Sequence, residues 1–314
     1  MNLHNCTLCP RDCHADRSAG QTGYCGQTDI ITAARASLHM WEEPCISGQT
    51  GSGTVFFSGC NMGCVFCQNH TISKGETGRP ISSHRLAEIF LELQQKNACN
   101  INLVTPTHFI PQIIEALHLA KNQGLDIPVV YNTGSYEKVE TLKMLDGLID
   151  IYLPDLKYYS PILSKKYSHA EHYFTYAAPA IDEMLRQTGT PVFEPQDLSL
   201  APGSEDDYSG PLMKKGVIVR HLTLPGCMED SKAVLRYLYS TYKNDIYVSI
   251  MNQYTPIGQF LDTTAYPELN RTITEKEYDE LIDYAIALGI ENGFIQDGET
   301  CSESFIPPFD YSGL

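Results

Sequence analysis

From about residue 50 onward, short runs of Val, Ile and aromatic residues alternate with longer stretches whose apolar positions recur every three or four residues. The short runs, residues 54–58, 101–105, 127–132, 149–153, 216–222 and 245–251, have the length and β-branched content of strands buried on both faces. The amphipathic stretches at 84–95, 110–122, 136–145, 231–243 and 274–288 read as helices. Ser82-Ser83 offers an N-cap to the first, and Gly124, Gly147 and Gly289 stand where C-caps belong. Further helical stretches fall near 161–169 and 173–187. Strand, helix and strand joined by short connections make βα units and a parallel sheet. Six strands are too few to close an eightfold barrel. The expected fold is therefore α/β: a partial (β/α)6 barrel of parallel strands with a small Cys-rich N-terminal extension, and its active site at the C-terminal ends of the strands.

The same pattern divides the chain into residues 1–50, a Cys-rich metal-binding segment; 51–260, the partial barrel; and 261–314, a C-terminal helix-strand cap. The long interval between the fourth and fifth strands carries an acidic loop around 194–209 (Glu205, Asp206, Asp207), read as a solvated surface insertion.

Composition narrows the function. The formal net charge of −16 repels phosphate backbones, which argues against a nucleic-acid partner. There is no apolar run of transmembrane length, so no membrane partner is expected. The first ten residues lack the apolar core of a secretory signal, so the expected location is cytoplasmic. In that reducing compartment 11 cysteines point to metal rather than to disulfides. Seven fall in two tight groups, and Cys45, Cys99, Cys227 and Cys301 stand apart with no assigned role.

The first strand runs into Gly59-Cys60-Asn61-Met62-Gly63-Cys64-Val65-Phe66-Cys67, a Cys-x3-Cys-x2-Cys loop. A cubane iron–sulfur cluster takes one thiolate per iron, so three close cysteines leave one iron open. An open iron can chelate a small molecule through an amine and a carboxylate, groups that S-adenosylmethionine (SAM) carries. Gly59 and Gly63 let the loop wrap tightly round the inorganic core. Structural zinc takes four protein ligands, and the fourth is missing nearby. The second group, Cys6, Cys9, Cys13 and Cys25, is a four-thiolate set beside Pro10, Gly20, Gly23 and Gly26. Its spacing suits zinc or a second iron–sulfur cluster, since both accept four thiolates; a disulfide-rich tail is the reading that a reducing compartment disfavours.

The loop, with an aromatic residue before its last cysteine, resembles the signature of the radical SAM superfamily, and the chain over about 50–260 is similar to its pyruvate formate-lyase activating enzyme-like branch. The resemblance implies a [4Fe–4S] cluster on the catalytic residues Cys60, Cys64 and Cys67. It also implies an electron from a donor such as flavodoxin or ferredoxin, and cleavage of SAM to a 5′-deoxyadenosyl radical that abstracts hydrogen from a substrate. An activating enzyme would act on a glycyl radical enzyme; modification of a small molecule or peptide is the alternative.

The resemblance also nominates cofactor contacts at the strand ends. The second strand leads into Thr105-Pro106-Thr107-His108 where the family usually has a Gly-Gly-Glu type motif, which leaves Thr105 and Thr107 as the polar groups. Asn132 stands in a Thr-Asn-Gly type segment, and Asp155 and Lys157 form an Asp-x-Lys element. Arg220 is placed to hold the SAM carboxylate, and Asn252 and Gln253 are placed near adenine or ribose. His108 is either an acid–base group or a structural ring beside the loop proline. Two rival classes make different demands. A ferredoxin-type electron-transfer protein would need a fourth cysteine near Cys60 and a shorter chain; a zinc-stabilised interaction module would be colourless.

Overall fold

The computed structural model describes residues 3–199, 208–257, 261–296 and 306–314. Glu205, Asp206, Asp207 and Cys301 lie outside the described residues.

The strands are β1 (Ile31–His39), β2 (Ser52–Phe57), β3 (Arg79–Ile81), β4 (Ile101–Val104), β5 (Val129–Thr133), β6 (Ile151–Pro154), β7 (Val192–Glu194), β8 (Leu212–Leu222), β9 (Tyr247–Met251) and β10 (Gly293–Ile295). They form one open sheet in the order β10-β9-β8-β6-β5-β4-β2-β1-β3, with β7 paired to β8. From β2 to β10 along this order every neighbour pair is parallel. β1 is antiparallel to both β2 and β3. This is the partial barrel expected from the alternation of patterns. It differs in two respects: a short seventh parallel strand, β10, follows the sixth, and β1 extends the other edge from within the Cys-rich N-terminal region.

Every residue of β2, β4, β5 and β6 is buried, as continuous apolar runs demand when helices cover one face and side chains fill the other. The covering helices include Ser83–Gln95, Ile110–Asn122, Tyr173–Thr188, Met228–Tyr242 and Glu275–Leu288. Leu86, Phe90, Ile113, Leu117, Leu235 and Leu238 join the main core from these helices. Ser82 caps the first, accepting from the Arg85 amide at 3.1 Å. Thr274 and Glu277 form a reciprocal capping box at the last.

The helix expected over 136–145 is only a turn, Val139–Leu142, followed by a 3-10 turn, Lys143–Leu145. The chain enters it through Ser135 at φ +61°, and Glu137 turns inward to accept from Thr107, Tyr131 and Thr133. Those hydrogen bonds take the place of a first helical turn. At the other end of the chain, residues 306–314 lie along β1: the Ala36 amide donates to Ser312 O at 2.8 Å, the Tyr311 amide to Ala34 O at 3.0 Å, and Phe309 packs edge-on to Phe56.

Candidate functional site

The loop after β2 is held from three sides. Gly59 has φ +85°, and a Cβ there would lie 2.5 Å from Cys25 O, so the N-terminal segment passes too close for any side chain. Gly63 likewise abuts the Tyr24 hydroxyl. Arg11 stacks 3.6 Å above the Tyr24 ring and donates to Asn61 O at 2.8 Å and His169 O at 2.6 Å. On the third side the Val65 amide donates to Tyr167 O at 2.9 Å.

This clamp brings Cys60, Cys64 and Cys67 to a cavity of about 400 Å³, a volume suited to a small ligand. Thr105, Asn132, Asp155, Lys157, Arg220 and Gln253 line the same cavity from five other strands or their ends. Thr105 sits there in the left-handed region, φ +56°, a conformation costly for a threonine. Two expected contacts are elsewhere. Thr107 is buried with its hydroxyl given to Glu137 at 2.6 Å, and Asn252 is absent from the lining, its amide donating to Gln296 Oε1 at 2.8 Å. The Gln253 carbonyl instead accepts from Gln68 Nε2 at 3.1 Å.

The cavity is strongly charged. Arg220 donates from Nε to Asp155 at 2.9 Å, from Nη1 to Glu42 at 3.1 Å and from Nη2 to Asn132 at 2.6 Å. Lys157 Nζ lies 2.5 Å from the second Asp155 oxygen. Burial alone would raise the Asp155 pKa, but the two cations outweigh it and the net shift is downward. Burial likewise pulls Lys157 down, and Asp155 and Cys64 reverse the sign. All three guanidinium nitrogens are engaged by protein oxygens. Arg220 is thus built into a fixed network rather than left free for a ligand carboxylate.

Glu42 and Glu43, which line this cavity beside Trp41, had no signal in the sequence. They follow β1, which runs antiparallel to β2, and only that topology carries them into the barrel. His108, a candidate acid–base group, is buried outside the lining. Its Nε2 donates to Ser58 O at 2.7 Å, which assigns the proton, and burial drives its pKa down to about 3. It is a neutral ring bracing the end of β2. His221 is similar: burial lowers it to about 4, between Leu156 O and Ser231 Oγ.

Residues 54–192 match the radical SAM superfamily. That stretch of the chain is a radical SAM domain. Members of the superfamily are enzymes that use a [4Fe–4S] cluster and SAM. The chain is also 26% identical over 291 residues to an uncharacterized protein of Methanocaldococcus jannaschii, covering 90% of this chain and 74% of that one. Its fold is similar to Streptococcus suis SuiB bound to SAM, with TM-score 0.50, 11% identity, and coverage of 77% of this chain and 49% of the other. SuiB bound to the precursor peptide SuiA gives the same TM-score, identity and coverage of this chain, and 47% of its own. The chain thus spans about half the length of the SuiB chains it matches, and at this identity the likeness concerns the fold alone.

The donor set suits a cubane. Burial raises the pKa of all three loop thiols, and Cys60 and Cys67 are pushed further by Cys64, Cys67 to about 11. Such thiols stay protonated unless a metal replaces the proton. Backbone and hydroxyl donors already face the sulfurs: the Met62 amide lies 3.3 Å from Cys60 Sγ and Ser168 Oγ 2.9 Å from Cys64 Sγ. Among the described residues no three His, Cys, Asp or Glu side chains converge tightly enough for a single ion. A cubane has no such requirement, because each of its thiolates meets a different iron.

The N-terminal set lies against the same loop. The ten described cysteines are free thiols, which leaves no disulfide among them. Burial raises Cys9 to about 12, and Glu137, Cys25 and Cys13 add to it; burial raises Cys25 too, with Cys6 and Cys13 adding. The Tyr24 amide donates to Cys13 Sγ at 3.2 Å. Arg17, fully buried, ties the segment together through Gln27 O at 3.1 Å and Thr28 O at 2.5 Å.

Proposed function

We propose that Cys60, Cys64 and Cys67 ligate the [4Fe–4S] cluster, that SAM binds in the adjoining cavity beside Asn132, Lys157 and Gln253, and that the reaction is hydrogen abstraction from a substrate held there. One observation carries the reading. Among the described cysteines these three line the cavity, at the C-terminal end of the first parallel strand. When bound, the cluster and SAM supply one-electron cleavage of SAM, the start of the radical chemistry.

The chain's own contributions are positioning and exclusion of water. Gly59, Gly63 and the Arg11 clamp fix the loop, while Met62 and Phe66 form an apolar wall beside it. The Arg220–Asp155–Lys157 network sets a rigid charged wall opposite, with Lys157 close enough to lower the Cys64 pKa against burial. An external one-electron donor of the flavodoxin or ferredoxin kind supplies the electron, and the reducing cytoplasm suits the free thiols. Asn132, Asp155 and Lys157 support an activating-enzyme-like assignment with a glycyl radical enzyme as partner. The cavity of about 400 Å³ supports a small molecule or a peptide side chain as the alternative substrate. Cys6, Cys9, Cys13 and Cys25 hold a second metal centre, zinc or iron–sulfur.

The ligand assignment is tested by iron and sulfide content after anaerobic reconstitution. Cys60→Ser, Cys64→Ser and Cys67→Ser each lose the loop cluster, whereas Cys45→Ser and Cys227→Ser keep it. Full retention in the first three would sink the assignment.

A further inference from the structure

The floor of the cavity carries charge that the cluster and SAM reading does not use. Glu42 and Glu43 leave β1 and precede the helical turn Pro44–Ser47. Glu42 accepts from Asn102 at 3.0 Å, and Asn102 is level with Thr54 on β2, six residues before Cys60. Glu43 lies beside Ser249, which pairs with Arg220 on β8. The two acids therefore lie at mid-strand depth, and the thiols lie beyond the strand ends.

Acids outnumber cations there. Glu42, Glu43 and Asp155 are three acids faced by two cations, Arg220 and Lys157, and burial raises the pKa of both Glu42 and Glu43 against the pull of Arg220. His39 also lines the cavity, but burial and Arg35 lower its pKa to about 4, so it is neutral at pH 7. The least satisfied of the three is Glu43. It is 8% exposed, and its Oε2 is buried without a hydrogen-bond partner. An unpartnered buried carboxylate oxygen is expensive. Glu43 is not helix-capping either, since its side chain makes no cap hydrogen bond to the turn that follows. Trp41, 62% exposed, lines the same cavity and adds an aromatic surface of the kind that attracts cations.

We propose that Glu43, with Glu42 beside it, binds a positively charged nitrogen of the substrate, an ammonium or guanidinium group, at the end of the cavity away from the cysteines. The inference rests on the cluster and SAM reading above and adds a substrate class to it: a molecule, or a side chain of a peptide, that carries a cationic nitrogen. Bound there, the cation offsets the burial that raises the Glu43 pKa, and a charge-assisted hydrogen bond satisfies the orphan oxygen.

The test uses reconstituted holoenzyme with SAM bound, and n-butylammonium and 1-butanol as charged and neutral probes of similar shape, titrated calorimetrically. Wild type binds butylammonium about tenfold or more tightly than butanol, the worth of a hydrogen bond to a charged group. Glu43→Gln brings the two within about twofold, Glu43→Asp restores part of the preference, and thermal unfolding confirms that both variants fold. Equal binding of the two probes by wild type, or a preference that survives Glu43→Gln, overturns the proposal. So does a tenfold loss of SAM affinity in Glu43→Gln, because the carboxylate then serves SAM. If wild type binds no SAM at all, the site reading itself fails, and that outcome is separable from a lost amine preference.

Discussion

The two groups of cysteines lie against each other, yet they differ in setting. Cys60, Cys64 and Cys67 come from one loop at a strand end and open onto the cavity; three thiolates leave a cubane with a vacant iron. Cys6, Cys9, Cys13 and Cys25 come from a segment with little core of its own, and in the proposed second metal centre their four thiolates would close a coordination shell. On the proposed assignment one set would make a reactive position, and the other would fix a chain that has few apolar residues to fix itself. Contact runs both ways. Cys25 O excludes any side chain at residue 59, and Tyr24 presses on residue 63, so the closed site shapes the open one.

The largest effect expected is from removing the closed site. Cys9→Ser abolishes the second metal equivalent and costs several kcal/mol of stability, because binding energy at such a site is folding energy. Metal analysis with thermal unfolding reads both, and the metal that disappears separates zinc from iron. An unchanged melting temperature after loss of that metal would break the comparison. Next is the junction. Gly59→Ala places a methyl against the Cys25 carbonyl in a left-handed backbone, and costs roughly 3 kcal/mol with a fall in loop iron. Denaturant titration and iron content check it; a neutral result would mean that the two regions do not touch.

The smallest effect concerns Glu137, whose charge raises the Cys9 pKa and whose own pKa burial lifts to about 7 from 4.5. The folded state holds this proton more tightly than the unfolded chain. Its stabilising effect is full below pH 4.5 and is lost as pH rises to about 7. Oε1 takes all three hydrogen bonds, and Oε2 has none, so glutamine can replace the acid in place. Glu137→Gln should therefore gain about 2–3 kcal/mol relative to wild type between pH 5 and pH 8. A flat difference across that range would contradict the shift.

Much of this was legible because it is local. Buried parallel strands are unbroken apolar runs, Ser82 and the Thr274–Glu277 box announce helix starts, and the Cys-x3-Cys-x2-Cys loop carries its chemistry in its spacing. What was hidden depends on distant pairing. Ile31–His39 is rich in small residues and reads as neither strand nor helix; its partner β2 makes it a strand. Glu42 and Glu43 gain meaning only from where that strand delivers them. Thr107 was chosen for its position after a strand, but Glu137 draws its hydroxyl away from the cavity. Arg220 sits where expected, yet Glu42 helps to occupy the fork that a ligand was expected to fill.

The central claim is that the open site does radical chemistry, and formation of 5′-deoxyadenosine tests it most directly. The protein is purified and reconstituted without oxygen, reduced with dithionite, and given SAM, with Cys64→Ala as control. The account predicts 5′-deoxyadenosine from wild type and none from the variant. A wild type that carries its loop cluster and binds SAM, but never forms 5′-deoxyadenosine with any reductant or amine-bearing substrate, would contradict it.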